Sequence, residues 1–166
     1  MSDQHIYQVR CAWQGSTAVG YANYQREHVV SAPPAQEPLT LSADPAFLGQ
    51  PERLNPEQLV VMAAASCQLL SFLAVAARAR IDVVSYQDEA VGIMPSDDHP
   101  IRLTRIVLQP RIVVAPGTSP EQVRHLVDVA HRQCYIANSL RTEITLQPQV
   151  EIQAAEPVPM PPLQPS

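Results

Sequence analysis

The stretch that most limits what this chain can become runs from Asn55 to about Arg80. Its first residues, Asn55-Pro56-Glu57, spell out a helix start. An Asn side chain accepts from the free backbone N–H groups of a helix entrance. Pro in the first helical position gives up an N–H that has no intrahelical partner, and Glu57 puts a negative charge in the positive first turn. Residues 59–77, LVVMAAASCQLLSFLAVAA, then continue with few polar breaks. A helix apolar on every side must be surrounded, by protein or by lipid. Ser66, Cys67, Gln68 and Ser71 lie near its middle, and Glu57 and Arg78 bracket it. With no second span or anchor, it reads as the centre of a soluble fold with no membrane partner.

The flanks supply the surroundings. Residues 5–13 (HIYQVRCAW) and 21–30 (YANYQREHVV) read as strands joined by the turn residues QGSTAVG, a β-hairpin. After the proline-broken SAPPAQEP, LTLSA gives a third strand. Beyond the helix, residues 82–94 and 101–115 read as two strands around the turn PSDDHP, with Pro110 marking an edge or a bulge. A second helix is expected from Pro120 to about Ala137, and a last strand over 141–153. The order β-β-β-α-β-β-α-β does not alternate regularly. It predicts an α+β fold with helices on mainly antiparallel sheets. Residues 1–153 form one expected domain, and 154–166 a proline-dense, extended tail.

Composition removes several classes of function. With 166 residues, 46% hydrophobic and 16% charged, the chain is globular rather than disordered. Its net charge is −5, and its eleven basic residues are scattered arginines. No clustered positive charge points to nucleic acid. The absence of lysine excludes Schiff-base chemistry and any phosphate-loop lysine. The start MSDQHIYQVR lacks the pattern of a secretion signal, so a cytoplasmic protein is expected. In that setting three cysteines are reactive or simply buried, not a disulfide framework.

Cys67 alone reads as a small core side chain. Cys134, near the end of the second helix in AHRQCYIANSL, changes its meaning, because cysteines on two helices meet if the helices pack together. Such a pair can run a peroxide cycle: one thiolate becomes a sulfenic acid, the second condenses with it, and an external thiol resets both. The attacking sulfur must be a thiolate near neutral pH, and Cys67 lies too deep in its helix to use the N-terminus. A cation must serve, oriented by a carboxylate. Glu57 precedes Cys67 by ten residues, roughly 15 Å along one helix. The two share a site only if two copies of the helix pack antiparallel, which makes the protein a homodimer.

The motif LNPEQLVVMAAASC closely resembles the signature of the OsmC/Ohr family, and AHRQCYIANSL resembles that family's second cysteine motif. WQGSTAVGYANYQREH, SADPAFLG and SYQDEAVG look like one branch of it, and the likeness spans about residues 5–152. The resemblance implies an OsmC-like intertwined homodimer, with sheets wrapped around central helices. It also implies reduction of organic hydroperoxides, and of hydrogen peroxide, without any cofactor or metal, with a small dithiol or lipoyl-type reductant. Carried over, Cys67 is the peroxidatic cysteine, Cys134 the resolving one and Glu57 the orienting acid. In one branch an Arg precedes a Phe ahead of the helix. Here Ala46 precedes Phe47, so Arg26 takes that place, with Arg53 second. Tyr135-Ile136 follow Cys134 where several relatives have Cys-Pro.

Other residues carry weaker expectations. His131 stands three before Cys134, on one helical face, and His28 lies near Arg26 along one strand. Cys11 reads as structural. Tyr135, Phe72, Leu69, Leu73 and Met62 are core, or else wall a pocket for a hydroperoxide tail. Two other readings compete. One is a ligand-binding or structural dimer with slow cysteines. The other is a zinc site from Cys67, Cys134, His131 and His28, which lacks short paired ligand spacing.

Overall fold

A computed structural model describes residues 4–154; the proline-rich segment from residue 155 onward lies outside the described residues. Residues up to Val60 and residues from Val61 form two compact units.

In the first unit, strands β1 (Arg10–Ala12), β2 (His28–Ser31) and β3 (Leu39–Leu41) form one antiparallel sheet. Cys11 pairs with Val30, and His28 with Leu41. The expected hairpin is present, but its strands are shorter than the sequence suggested. Arg26 lies just ahead of β2 rather than in it. The cause is local. The Arg26 guanidinium donates to the carbonyls of Tyr24 (3.0 Å) and Tyr21 (2.7 Å). The Trp13 indole donates to the carbonyl of Gln25 (2.6 Å). These bonds curl residues 21–26 into an aromatic cluster instead of an extended strand. The approach to the long helix is fixed by Gly49, where a Cβ would collide with the Ala43 backbone.

Helix α1 spans Pro56–Arg78. Its entrance is a reciprocal cap: Gln58 N–H donates to Asn55 Oδ1 (2.8 Å), and Asn55 N–H to Gln58 Oε1 (2.9 Å). The exit comes two residues earlier than expected. Arg80 takes a left-handed φ of 58°, and Ile81 N–H reaches back to Ala76 (2.9 Å) and Arg80 N–H to Ala77 (3.0 Å). This closes the last carbonyls without any side chain.

In the second unit, each of the three expected strands is two. They are β4 (Val83–Asp88) and β5 (Val91–Ile93), β6 (Arg105–Leu108) and β7 (Pro110–Val114), β8 (Glu143–Leu146) and β9 (Gln149–Ile152). The halves sort into two sheets, ordered β4-β7-β9 and β5-β6-β8. Prolines at 110 and 148 lack the N–H a continuous ladder needs. At the same level Gln109 N–H donates to Asp88 Oδ1 (2.7 Å). Among the described strand pairs of both units four are antiparallel and two, β6–β8 and β7–β9, are parallel, so antiparallel pairing dominates as expected.

Helix α2 covers Pro120–Gln133, capped by Ser119. Its Val123, Val127 and Ala130 pack with Phe72, Val75 and Ala76 of α1 and Ile112 and Val114 of β7 in one buried cluster. The helix does not run on to Ala137. It breaks at Cys134 (φ −70°, ψ 114°) and resumes as α3 (Tyr135–Ser139). The break is stabilised by Asn138, whose amide donates to the carbonyls of Arg132 (3.1 Å) and Cys134 (2.9 Å).

Candidate functional site

Packing α1 against α2 is what brings the two cysteines together. Gln68, fully buried beside Cys67 in sequence, donates through Nε2 to the Val127 carbonyl (3.1 Å) and fastens the helices at this level. Cys67 is half-buried and Cys134 is 1% exposed. Both are free thiols, and the Cys134 thiol hydrogen-bonds to Cys67. The Ile136 N–H points at Cys67 Sγ (3.5 Å), and the Ala137 N–H at Cys134 Sγ (3.4 Å).

This arrangement gives two equal thiols unequal acidity. Burial raises the Cys67 pKa. Hydrogen bonds from Cys134, from the Ile136 and Tyr135 N–H groups and from Ser71 outweigh it, leaving Cys67 below its ordinary range. Burial pushes Cys134 up to about 11, and its bond to Cys67 adds to the shift, because a donor to a thiolate resists losing its proton. The backbone donors to Cys67 come from the start of α3, so they exist only because the chain breaks at Cys134. Sequence reasoning sought a cation for this task and missed them. AHRQCYIANSL gives no sign of the break beyond Asn138, whose side chain bonds backbone carbonyls.

Around Cys67 lies a cavity of about 430 Å³, walled by Leu70, Ala74, Tyr135 and Ile136 and reaching Arg78. Of the residues expected to wall an apolar pocket, Tyr135 lines it, Phe72 is core, and Met62 and Leu73 are exposed. His131 Nδ1, near Cys134 in sequence, is buried without a hydrogen-bond partner among the described residues.

Arg26 and Glu57 lie in the first unit, where both line a second cavity of about 490 Å³ with His28, Cys11, Trp13 and Phe47. Arg26 sits over the Tyr24 ring at 4.1 Å and the Tyr21 ring at 4.9 Å. It makes no ion pair with Glu57 among the described residues. Arg53, the second choice, is committed to Glu27 at 3.1 Å. His28 Nδ1 lies 2.9 Å from the Arg26 carbonyl. Cys11, read from sequence as structural, is exposed and borders this cavity rather than packing in a core. Among the described residues, no group of three or more His, Cys, Asp or Glu side chains converges as a metal site would require.

Comparison with known proteins gives one consistent picture. The family model for OsmC-like proteins matches residues 49–149. YmaD of Bacillus subtilis, an uncharacterised protein, is 23% identical over 89% of this chain and 93% of its own length. An OsmC-like protein of unknown function from Vibrio cholerae has the same fold. It is 28% identical over 88% of this chain and all of its own, with a TM-score of 0.79. A second Vibrio cholerae protein, named for organic hydroperoxide resistance and solved with captopril in one of its active sites, is 27% identical. It covers 90% of this chain and 95% of its own, with a TM-score of 0.65.

Proposed function

Since the chain belongs to the OsmC-like protein family, we propose that it is a thiol-dependent hydroperoxide reductase working through Cys67 and Cys134. The observation that carries this reading is the pair itself: two thiols hydrogen-bonded to each other and pushed in opposite directions, Cys67 down and Cys134 up. The name of the second Vibrio cholerae protein points the same way.

The cycle follows from those properties. The Cys67 thiolate attacks the terminal oxygen of a hydroperoxide, ROOH. The O–O bond breaks, the alkoxide leaves and takes a proton as ROH, and Cys67 becomes a sulfenic acid, oxidised by two electrons. Cys134 then attacks that sulfur. The S–O bond breaks, a disulfide forms, and the hydroxide leaves as water with the Cys134 proton. A small dithiol or lipoyl-type reductant takes up the disulfide by exchange.

Arg26 and Glu57 enter through a second copy of the chain. Glu57 and Cys67 stand ten residues apart on one unbroken helix, roughly 15 Å. In an antiparallel homodimer the partner's Arg26 stands at Cys67 and favours its thiolate, and the partner's Glu57 orients that guanidinium. The support is α1 itself, whose Met62, Leu70 and Leu73 are exposed apolar side chains on a helix long and apolar enough to cross a membrane.

A free-thiol count before and after one equivalent of cumene hydroperoxide tests the reading. Rapid loss of two thiols, abolished in Cys67→Ser and reduced to sulfenic acid alone in Cys134→Ser, is the expected result. No loss over minutes overturns it and leaves a ligand-binding dimer on the same fold.

A further inference from the structure

Resting on the role just given to Arg26, we infer that Tyr24, assisted by Tyr21, is a positioning residue for that arginine: its ring fixes the guanidinium without cancelling its positive charge. An arginine side chain is long and free to turn, and a cation that favours a thiolate must be held where the sulfur will lie. Two neutral grips hold this one. The guanidinium donates through one terminal nitrogen to the Tyr24 carbonyl (3.0 Å) and through the other to the Tyr21 carbonyl (2.7 Å). Its central carbon stands 4.1 Å from the centre of the Tyr24 ring and 4.9 Å from that of Tyr21, where the electron-rich faces attract a cation. The same two residues thus supply both the carbonyls and the rings.

Two further observations separate this role from chance stacking. The first is the kind of partner. Arg53, Arg102 and Arg111 each have a carboxylate within 3.4 Å, and an ion pair cancels much of the field a nearby thiolate would feel. Carbonyls and ring faces hold Arg26 and leave its net charge intact, with its remaining N–H groups free to meet a sulfur and Glu57. The second is that the rings are themselves held. Tyr24 meets Trp13 edge to face (centroids 6.3 Å, 89°) and Tyr21 at 6.2 Å and 70°. The Trp13 indole is tied to the Gln25 carbonyl. Behind Tyr24 the chain turns at Gly20, with a positive φ of 88° that Gly adopts readily. The Asn23 amide closes that turn onto the Val19 carbonyl (2.9 Å), and the Tyr24 N–H onto that of Gly20 (3.3 Å). This cluster replaces the start of the strand that the sequence predicts here, and Arg26 is the one cation it surrounds among the described residues.

The test uses the full chain with Cys67 as reporter. Its alkylation by iodoacetamide is followed across a pH series, resolved from Cys11 and Cys134 by peptide mass, beside kcat/KM for cumene hydroperoxide. Tyr24→Leu should move the Cys67 profile to higher pH and lower kcat/KM about threefold to fivefold, the range of a partly exposed cation–ring contact. Tyr24→Phe keeps the ring face and loses only the hydroxyl, so it should stay close to the unaltered chain. In an Arg26→Ala background Tyr24→Leu should add nothing, whereas a merely structural role would weaken that chain too. Should Tyr24→Leu fail to fold, Tyr21→Leu carries the same test, with a smaller shift because its ring is farther from the cation and 66% exposed. A profile that Arg26→Ala moves and the Leu variant does not, equal losses in Tyr24→Phe and Tyr24→Leu, or a loss that persists without Arg26 overturns the proposal. An Arg26→Ala profile that stays in place removes Arg26 from Cys67, and the proposal with it. A profile that moves with both residues, in a chain that consumes no peroxide, keeps the positioning role and removes the reductase.

Discussion

The chemistry turns on which sulfur holds its proton. Cys67 sits below its ordinary range largely because donors aim at it, and Cys134 is one of them. Alkylation by iodoacetamide across a pH series should therefore show Cys67 reacting first and Cys134 only as the pH nears about 11. Cys134→Ser, with its changed donor geometry, should move the Cys67 profile to higher pH. An unmoved profile would mean that the pair does not set its acidity. A second residue carries a pH signature of stability. Burial raises the Asp88 pKa, against the Gln109 N–H that favours its charge, and Oδ2 has no partner among the described residues. A carboxyl raised on folding contributes fully below its unfolded pKa, and that contribution is lost as the pH climbs through the folded value. Asp88→Asn should thus be more stable than the unaltered chain in urea at pH 7, with the advantage vanishing below about pH 4. The cysteine pair was legible in the sequence as two thiols on two helices that could pack together. The donors that tune Cys67 were not, since backbone N–H groups carry no residue signature.

At the scale of elements, local chemistry was legible where side chains write it and silent where packing decides. Asn55-Pro56-Glu57 marked the start of α1, and the structure adds Gln58 as the returning half of the cap. Asn55→Ala should cost about 1 kcal/mol, in the range for lost helix caps, read as a lower urea midpoint with an unchanged slope. Asn55 also donates to Asp44 Oδ2 (3.3 Å), so Asn55→Asp, which keeps the cap but puts two carboxylates together, should recover only part of the loss. Strand lengths were misread because an apolar run such as IRLTRIVLQPRIVVA has one period throughout. Its division at Gln109 depends on a carboxylate from another strand. The early end of α1 likewise rests on a left-handed Arg80, a conformation usually given to Gly, and no residue there announces it.

For the whole molecule, the exposed apolar face of α1 calls for a cover. Leu70 is 64% exposed on the helix that carries Cys67, and a second copy of the same face is the partner we infer. Subunit mixing checks it directly. Cys67→Ser and Glu57→Gln chains, each with little activity alone, should regain roughly a quarter of full activity when refolded together, since half the dimers are mixed and each has one intact site. A mixture no more active than its components would place Glu57 and Cys67 in separate roles. Leu70→Glu should in turn shift the sedimenting species toward the monomer and abolish turnover.

Cys134 ends one helix and opens the next, and its sulfur fastens the first turn of α3 through the Ala137 N–H. In the proposed cycle the resolving atom is therefore also a latch on five residues of backbone. If the proposed cycle runs, each disulfide formed tugs that latch, and the redox balance of a solution should be readable as the rate at which amides 135–139 trade hydrogen for deuterium.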